Sequence, residues 1–355
     1  MEQITMIGLD LAKHVFQLHG VSASGTVLLR KAVRRGQLLA LFSGLPPCTV
    51  AMEACPTAHH WARELVTLGH EVRLMPPKYV KAYVKRNKND AADAEAICGA
   101  AGRPNMRFVP VKSRGQQAAL MLHRAWNLLI RHRTMLSNAL RGHMAEFGLI
   151  EAQGAHRVKG LLEVVEDDAD ARLPALARGI LRLMAAQLND LAARIGAIER
   201  QIMLWHRASA RSRLLETIPG IGPIIATAIT ATVPDASAFS SGREFAAWLG
   251  LVPRQNSSGG KARLGGIAKQ GNSYLRRQLI VGAHSVLRWS REARQDPWIG
   301  RLLARKPRLP GGRGGAREQA RADRLGGAGA GRRVPATGHR VTGSRSLQGK
   351  DGVMA

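Results

Sequence analysis

Short apolar runs alternate with helical patterns along the first 110 residues. The runs ITMIGLDL, HVFQLHGVS, CTVAMEA and HEVRLMPP have the length and composition of strands, and SASG has the composition of a turn. HHWARELVTLG has helical spacing and ends at Gly69, a residue suited to a helix C-terminus. A basic loop and a further helix follow in PKYVKAYVKRNKNDAADAEAICGAAG. Strands and helices that alternate within one unit predict an α/β domain over 1–111.

The segment 112–213 has almost no strand signal and contains two helical seams. A weaker seam extends from Ala119 to Leu140 and is interrupted by Arg133. The stronger seam alternates spacings of three and four at Leu181, Met184, Leu188, Leu191, Ile195, Ile198, Ile202 and Trp205. This heptad pattern predicts a central coiled-coil region that pairs helices between subunits. An antiparallel helical hairpin within one chain is the alternative.

The remaining chain divides into two blocks of different composition. Residues 214–306 are mostly helical in pattern, with a glycine-rich insert, QNSSGGKARLGG. Residues 307–355 hold 12 glycines and no aromatic residue, which is too little apolar surface to offset the entropy of ordering. Two interpretations remain for this tail: a flexible RNA-binding segment, or translation of a wrong reading frame, which the abrupt end of helical patterning favours.

Composition narrows the class of protein. The 355 residues are enough for two or more domains, and 45% hydrophobic residues exclude disorder of the whole chain. A net charge of +28 predicts a nucleic-acid partner, because cations that neutralise phosphates release counterions. With no apolar run of about 18 residues and no signal-peptide pattern, we expect a cytoplasmic protein without a membrane partner. Three cysteines without a CxxC spacing predict a reducing compartment and no structural zinc.

Four carboxylates in the first domain are candidates for a metal site. Asp10 and Glu53 each end a predicted strand, while Asp90 and Asp93 are three residues apart in the first turn of a predicted helix. Several hard oxygen ligands on neighbouring elements suit Mg²⁺, which can assist phosphodiester chemistry. The alternatives are a turn-forming Asp10, a surface Glu53 and two acids favoured at a helix start by its dipole.

Two further segments carry possible chemistry. LLETIPGIGPIIATAIT at 214–230 resembles a helix-hairpin-helix, in which a tight glycine turn presents backbone N–H groups to a phosphate. A turn between core helices is the alternative.

The serine pair before Gly259 and Gly260 lies among cations that could stabilise charge if a serine attacked phosphorus. These cations are Arg254, Lys261, Arg263, Lys269, Arg276 and Arg277. An isolated SSGG is otherwise a flexible loop.

Taken in order, six motifs resemble the insertion-sequence 110 family of transposases, which is related to the Piv-type DNA invertases. They are IGLDLAK, AMEA, KNDAADA, IPGIGP, FAAWLGLVPRQNSSGGK and QGNSYLRRQL, and the resemblance covers about 1–306. It implies a RuvC-like (RNase H-type) domain over 1–111, a helical coiled-coil region over 112–213 and a mainly α transposase domain over 214–306. The chain departs from the family after Pro307, where members usually continue with an apolar helix.

The resemblance also implies a mechanism and partners. A DEDD tetrad would fall on Asp10, Glu53, Asp90 and Asp93 and bind Mg²⁺, and the nucleophilic serine would fall on Ser258, next to Ser257. Family members act as dimers of dimers with composite active sites, guided to donor and target DNA by a bridge RNA. We therefore expect an RNA-guided DNA transposase. The rivals are a Mg²⁺-dependent structure-specific nuclease that needs no serine, and a non-catalytic nucleic-acid-binding protein.

Overall fold

A computed structural model describes residues 2–84, 89–152, 154, 157–289 and 297 of the chain. The expectations for the tail at 307–355 therefore lie outside the described residues. So do three cations that precede the first acid of the KNDAADA motif, namely Lys85, Arg86 and Lys88.

The first domain is built on a five-stranded mixed sheet with the order β3-β2-β1-β4-β5. The strands are β1 (Met6–Asp10), β2 (Val15–Val21), β3 (Val27–Arg34), β4 (Thr49–Glu53) and β5 (Glu71–Met75). β1 pairs with β2 in the antiparallel sense and with β4 in the parallel sense, so it lies at the centre of the sheet. Four of these strands confirm the prediction. β3 was missed, because this basic and largely exposed edge strand lacks the apolar run of a buried one.

Helices cover both faces of this sheet. α1 (Leu38–Ser43) and α2 (Ala58–Thr67) pack on one face, in a core that holds Leu9 of β1 and Trp61 of α2. α4 (Asp90–Ala101) covers the other face. The segment predicted as a basic loop begins instead with a short helix, α3 (Pro77–Val80).

The central region forms an antiparallel helical hairpin. α5 (Arg114–Ala145) and α7 (Ala175–Ala208) lie side by side, joined by α6 (Val158–Glu166), and the Trp126 indole donates a hydrogen bond to Glu199 Oε1 at 2.9 Å. Leu181 and Leu188 of the predicted seam are buried with Leu140 of α5 in one core. These seam positions are therefore covered within the chain, as the single-chain alternative requires, and pairing between subunits stays a prediction.

The last part of the described chain is a small helical unit that carries a β-hairpin. Its helices are α8 (Ala210–Glu216), α9 (Pro223–Thr232), α10 (Gly242–Trp248) and α11 (Ser273–Trp289), and its strands are β6 (Pro253–Gln255) and β7 (Leu264–Ile267). Leu249 and Leu275 are fully buried between these helices. α8 spans the predicted boundary at 213, and the domain limits themselves stay predictions. In the ranges described here, no helix combines the length and apolarity that crossing a bilayer requires.

Candidate active site

Two acids lie side by side where β1 and β4 end. Asp10 and Glu53 are the last residues of these parallel strands, and the pairing of Leu9 with Met52 places them at the next register position. Side chains alternate between the faces of a strand, so Asp10 shares the face of Gly8, against which α4 packs. By the same alternation, Glu53 shares the face of Ala51, which belongs to the α4 core.

α4 brings two further acids to this edge of the sheet. The Asn89 side chain caps the helix by accepting a hydrogen bond from the Ala91 N–H at 3.0 Å, so Asp90 and Asp93 occupy the first turn. The helix can approach β1 closely because Gly8 has no side chain. A Cβ added at Gly8 would lie 2.2 Å from the carbonyl oxygen of Ala94.

The four acids converge as a result. One carboxylate oxygen from each of Asp10, Asp90 and Asp93 lies within 4.8 Å of the others. Glu53 is outside this three-residue group but close to it: burial raises its pKa, and the charges of Asp10 and Asp93 raise it further. Like charges brought this close repel one another, and a divalent cation relieves the repulsion. The donor set therefore fits a hard divalent cation.

The predicted nucleophile lies on an exposed hairpin. Every residue from Pro253 to Ile267 is exposed. At its tip, Ser258 pairs with Lys261 across Gly259 (φ 55°) and Gly260 (φ 74°), a left-handed turn that glycine adopts without strain.

The two adjacent serines of the hairpin differ in their hydrogen bonding. The hydroxyl of Ser257 accepts the Arg263 N–H at 3.1 Å and so helps to hold the hairpin together. Among the described residues, no group forms a hydrogen bond with the Ser258 hydroxyl. It is therefore available for reaction without breaking the hairpin.

Four of the six cations expected around this serine fall into two groups. Lys261 and Arg263 lie in the exposed tip itself. Arg276 instead donates to the carbonyls of Leu249 and Gln270, at 2.7 and 2.9 Å, and so fixes the base of the hairpin. Arg277 donates to the Asn127 side chain of α5. Backbone carbonyls and α5 thus hold the guanidinium groups of Arg276 and Arg277, and the placement of these cations around the serine stays a prediction.

The IPGIGP segment forms the turn between α8 and α9. Gly220 adopts a φ of 85°, and its carbonyl oxygen lies so close to α11 that a Cβ added at Gly282 would be 2.1 Å away. Thr217, Ile218 and Pro219 remain exposed. The turn thus has a packing role against α11, while its contact with a phosphate stays a prediction.

The sequence analysis missed two glycines that allow close packing: Gly8, where α4 meets β1, and Gly282, where α11 meets the turn at Gly220. Gly8 stands within the first strand, where its alternation with Asp10 is the one signal that it faces the same helix. Gly282 lies in the middle of α11 and gives no local sign that it meets a turn 62 residues earlier. Close approach between distant segments has no pattern in a single sequence.

Two family models of transposases match this chain. A family model described as "Transposase IS116/IS110/IS902 family" matches residues 212–297, and a DEDD transposase model of the IS110 group matches residues 7–148. All four acids lie within the second match, and Ser258 lies within the first.

Relatives that match over most of their length are also described as transposases. A "Probable family 20 transposase" of Pseudomonas aeruginosa is 51% identical over 307 residues, which cover 86% of this chain and 91% of the relative. The "Transposase for insertion sequence element IS1328" of Yersinia enterocolitica is 38% identical, over 86% of this chain and 91% of its own length. The "Transposase for insertion sequence element IS1111A" of Coxiella burnetii is 37% identical, over 86% and 85%.

Proposed function

The chain belongs to the IS110 family of transposases, enzymes that act on DNA, and we propose that it cleaves and rejoins the ends of its own element through Ser258 and the four acids. The family expected from the six motifs is thereby confirmed, and the DEDD model implies an RNase H-like α/β fold for the first domain. RNA guidance, the serine intermediate and the identity of the metal belong to the proposal.

The convergence of Asp10, Asp90 and Asp93 carries this proposal. These residues come from a strand end and a helix start that are 80 residues apart in the chain, yet their carboxylates lie within 4.8 Å. Like charges held this close repel one another, and a bound divalent cation would offset that repulsion. The place of the cluster at the carboxyl edge of the sheet leaves it open to a bound strand.

Asp10, Glu53, Asp90 and Asp93 would hold Mg²⁺, which when bound would neutralise charge that develops on a phosphodiester. Without a cation the acids would repel the phosphate backbone. A nearby cation would also keep the Glu53 carboxylate ionised, against the burial and the neighbouring charges that raise its pKa.

Ser258 would act as the nucleophile. Its Oγ would lose its proton and form a bond to phosphorus while one bridging P–O bond of the DNA breaks, and the departing sugar oxygen would take up a proton in exchange. Rejoining reverses these bond changes with a hydroxyl of the new strand. Three features support this role: the free hydroxyl, the exposed glycine turn and the flanking Lys261 and Arg263.

The proposed partners are DNA, a bridge RNA and further subunits of the same chain. Because the hairpin from Pro253 to Ile267 is exposed along its whole length, it can reach DNA or the acids of another subunit, as a composite site in a dimer or tetramer requires. The net charge of +28 supports binding to DNA and to a bridge RNA through their phosphates. Base pairing by the RNA would then select the sequence, and the protein would contact backbone and shape.

Covalent trapping tests the proposal. The protein is incubated with Mg²⁺, the RNA encoded beside its element, and labelled donor and target DNA, and the products are separated under denaturing conditions. We expect a protein–DNA adduct that Ser258→Ala removes and Ser257→Ala retains. Asp10→Asn should abolish both adduct and recombination while nucleic-acid binding persists. An adduct that survives Ser258→Ala would refute the assigned nucleophile.

A metal-dependent nuclease is the second candidate, favoured by one observation. The acid cluster is assembled within a single chain, whereas Ser258 lies on a separate exposed hairpin. Hydrolysis by water needs only the acids and their metal. Nicks that require Mg²⁺ and Asp10, that form without an adduct and that persist in Ser258→Ala would identify this activity.

A further inference from the structure

A second cluster of charged side chains lies where α2 meets the start of α5. The guanidinium of Arg63 donates from Nη1 to the carbonyl oxygen of Lys112 and to Gln117 Oε1, each at 2.7 Å. The His59 ring faces Lys112 twice: its Nδ1 accepts the backbone N–H at 3.3 Å, and its Nε2 lies 3.2 Å from the ammonium nitrogen. The cluster is therefore well ordered and partly buried.

In the part of the chain that the structure describes, no acid pairs with the cations of this cluster. Burial and the charges of Lys112, Arg63 and Arg124 together lower the pKa of His59 to about 4, so the ring is neutral and stands among cations. Burial and the charge of Arg124 also lower the pKa of Lys112. Among the described residues, none of these three cations takes part in an ion pair.

Hydrogen-bond donors also outnumber acceptors here. The Arg63 guanidinium donates to a backbone carbonyl and to the Gln117 side chain, which are both uncharged. The Nε2 of His59 offers the Lys112 ammonium no acceptor, because the neutral ring accepts the backbone N–H at Nδ1 and so carries its proton on Nε2. The Nε of Arg63 is buried and, among the described residues, has no partner. Desolvated cations that lack an anionic partner are costly, and a bound anion would offset that cost.

The cluster lies beside the elements that carry the acid site. α2 begins five residues after Glu53, so His59 lies near the edge of the sheet where the acids converge, while α2 packs on the opposite face. Arg124 is exposed on α5, and Arg131, also exposed, lies seven residues further along the same face. That separation is about 10 Å along the helix axis. The cations thus extend from the cluster along one face of α5.

We propose that Arg63, Lys112 and Arg124 form a phosphodiester-binding site, which holds the backbone of a nucleic-acid strand that extends from the acid cluster along α5. The site rests on the proposed function, because that function supplies the strand. Arg124 is the accessible contact. Arg63 and Lys112 set the positive potential.

Salt-dependent binding of the full-length protein tests this site. Dissociation constants are measured for duplex DNA and for single-stranded RNA at several salt concentrations. Loss of one phosphate contact lowers the slope of log affinity against log salt by about 0.9 for duplex DNA and about 0.7 for a single strand. We expect Arg124→Gln to show this change and a loss of affinity that does not depend on sequence. Arg124→Lys should restore the slope.

Lys159→Gln is the matched control. It removes the same charge from an exposed position on α6, at the far end of the helical hairpin, about 30 Å from Arg124 by the length of α5. A reduced slope for Arg124→Gln with one polymer supports the site and identifies the strand that occupies it. Slopes equal to those of Lys159→Gln and wild type with both polymers would overturn the site. Loss of recombination in Asp10→Asn would in that case leave the proposed function standing.

Discussion

Gly8→Ala tests whether the close packing of α4 on β1 assembles the acid cluster. The added methyl carbon would lie 2.2 Å from the Ala94 carbonyl oxygen and 2.7 Å from the Cys98 nitrogen. An ordinary carbon–oxygen contact needs about 3.3 Å, so α4 must retreat by about 1 Å. Its first turn carries Asp90 and Asp93, which would move away from Asp10.

The expected magnitudes follow from this displacement. Overpacking a core costs about 1–3 kcal/mol, so we expect Gly8→Ala to remain folded with a free energy of unfolding lower by that amount. A displacement of about 1 Å in catalytic geometry can lower a rate by about 100-fold. Mg²⁺ affinity and recombination should therefore fall much further than stability does.

Three measurements check the reasoning: denaturant unfolding, calorimetric titration with Mg²⁺ and recombination of a plasmid-borne element. Gly99→Ala is the control, because Gly99 lies in the same helix and an added Cβ there meets nothing within 4 Å. It should raise stability by about 0.5–1 kcal/mol and leave Mg²⁺ binding unchanged. If folded Gly8→Ala binds Mg²⁺ and recombines DNA as well as Gly99→Ala does, close packing at Gly8 does not assemble the site.

Three other predictions concern packing and charge. Leu188→Ala should lower the free energy of unfolding by about 2–5 kcal/mol at every protein concentration, because this seam residue is buried within the chain. Leu183→Ala is the control and should have little effect, because its side chain is 69% exposed. A destabilisation that fades on dilution would contradict this prediction. The raised pKa of Glu53 means that the folded state binds its proton more tightly than the unfolded state does, so stability falls as the pH rises from the unfolded pKa through the folded one. Glu53→Gln should remove this fall in stability when the unfolding of metal-free protein is measured as a function of pH. A pH profile equal to that of the wild type would contradict the prediction. Arg178→Met should cost about 3 kcal/mol in denaturant unfolding, because the buried guanidinium donates to four backbone carbonyls after and at the end of α6, and a near-neutral result would contradict this.

Local signals account for much of the candidate site. Asp10 and Glu53 end their strands as the apolar runs predict, and Asp90 and Asp93 begin a helix that Asn89 caps. These features depend on backbone propensity and on contacts within a few residues, so a single sequence carries them. Six motifs in one order were enough to indicate the family, and the relatives confirm it.

Features that depend on distant segments were decided by the tertiary structure alone. The heptad seam at Leu181 and Leu188 specifies an apolar helix face, but the same face can meet another subunit or α5, and the fold places α5 there. Arg276 is one cation among many until the carbonyls of Leu249 and Gln270 come within its reach. Gly8 admits α4 only because 86 residues later Ala94 presents its backbone at that point. Periodicity specifies which face of an element is apolar, whereas its partner depends on how the whole chain packs.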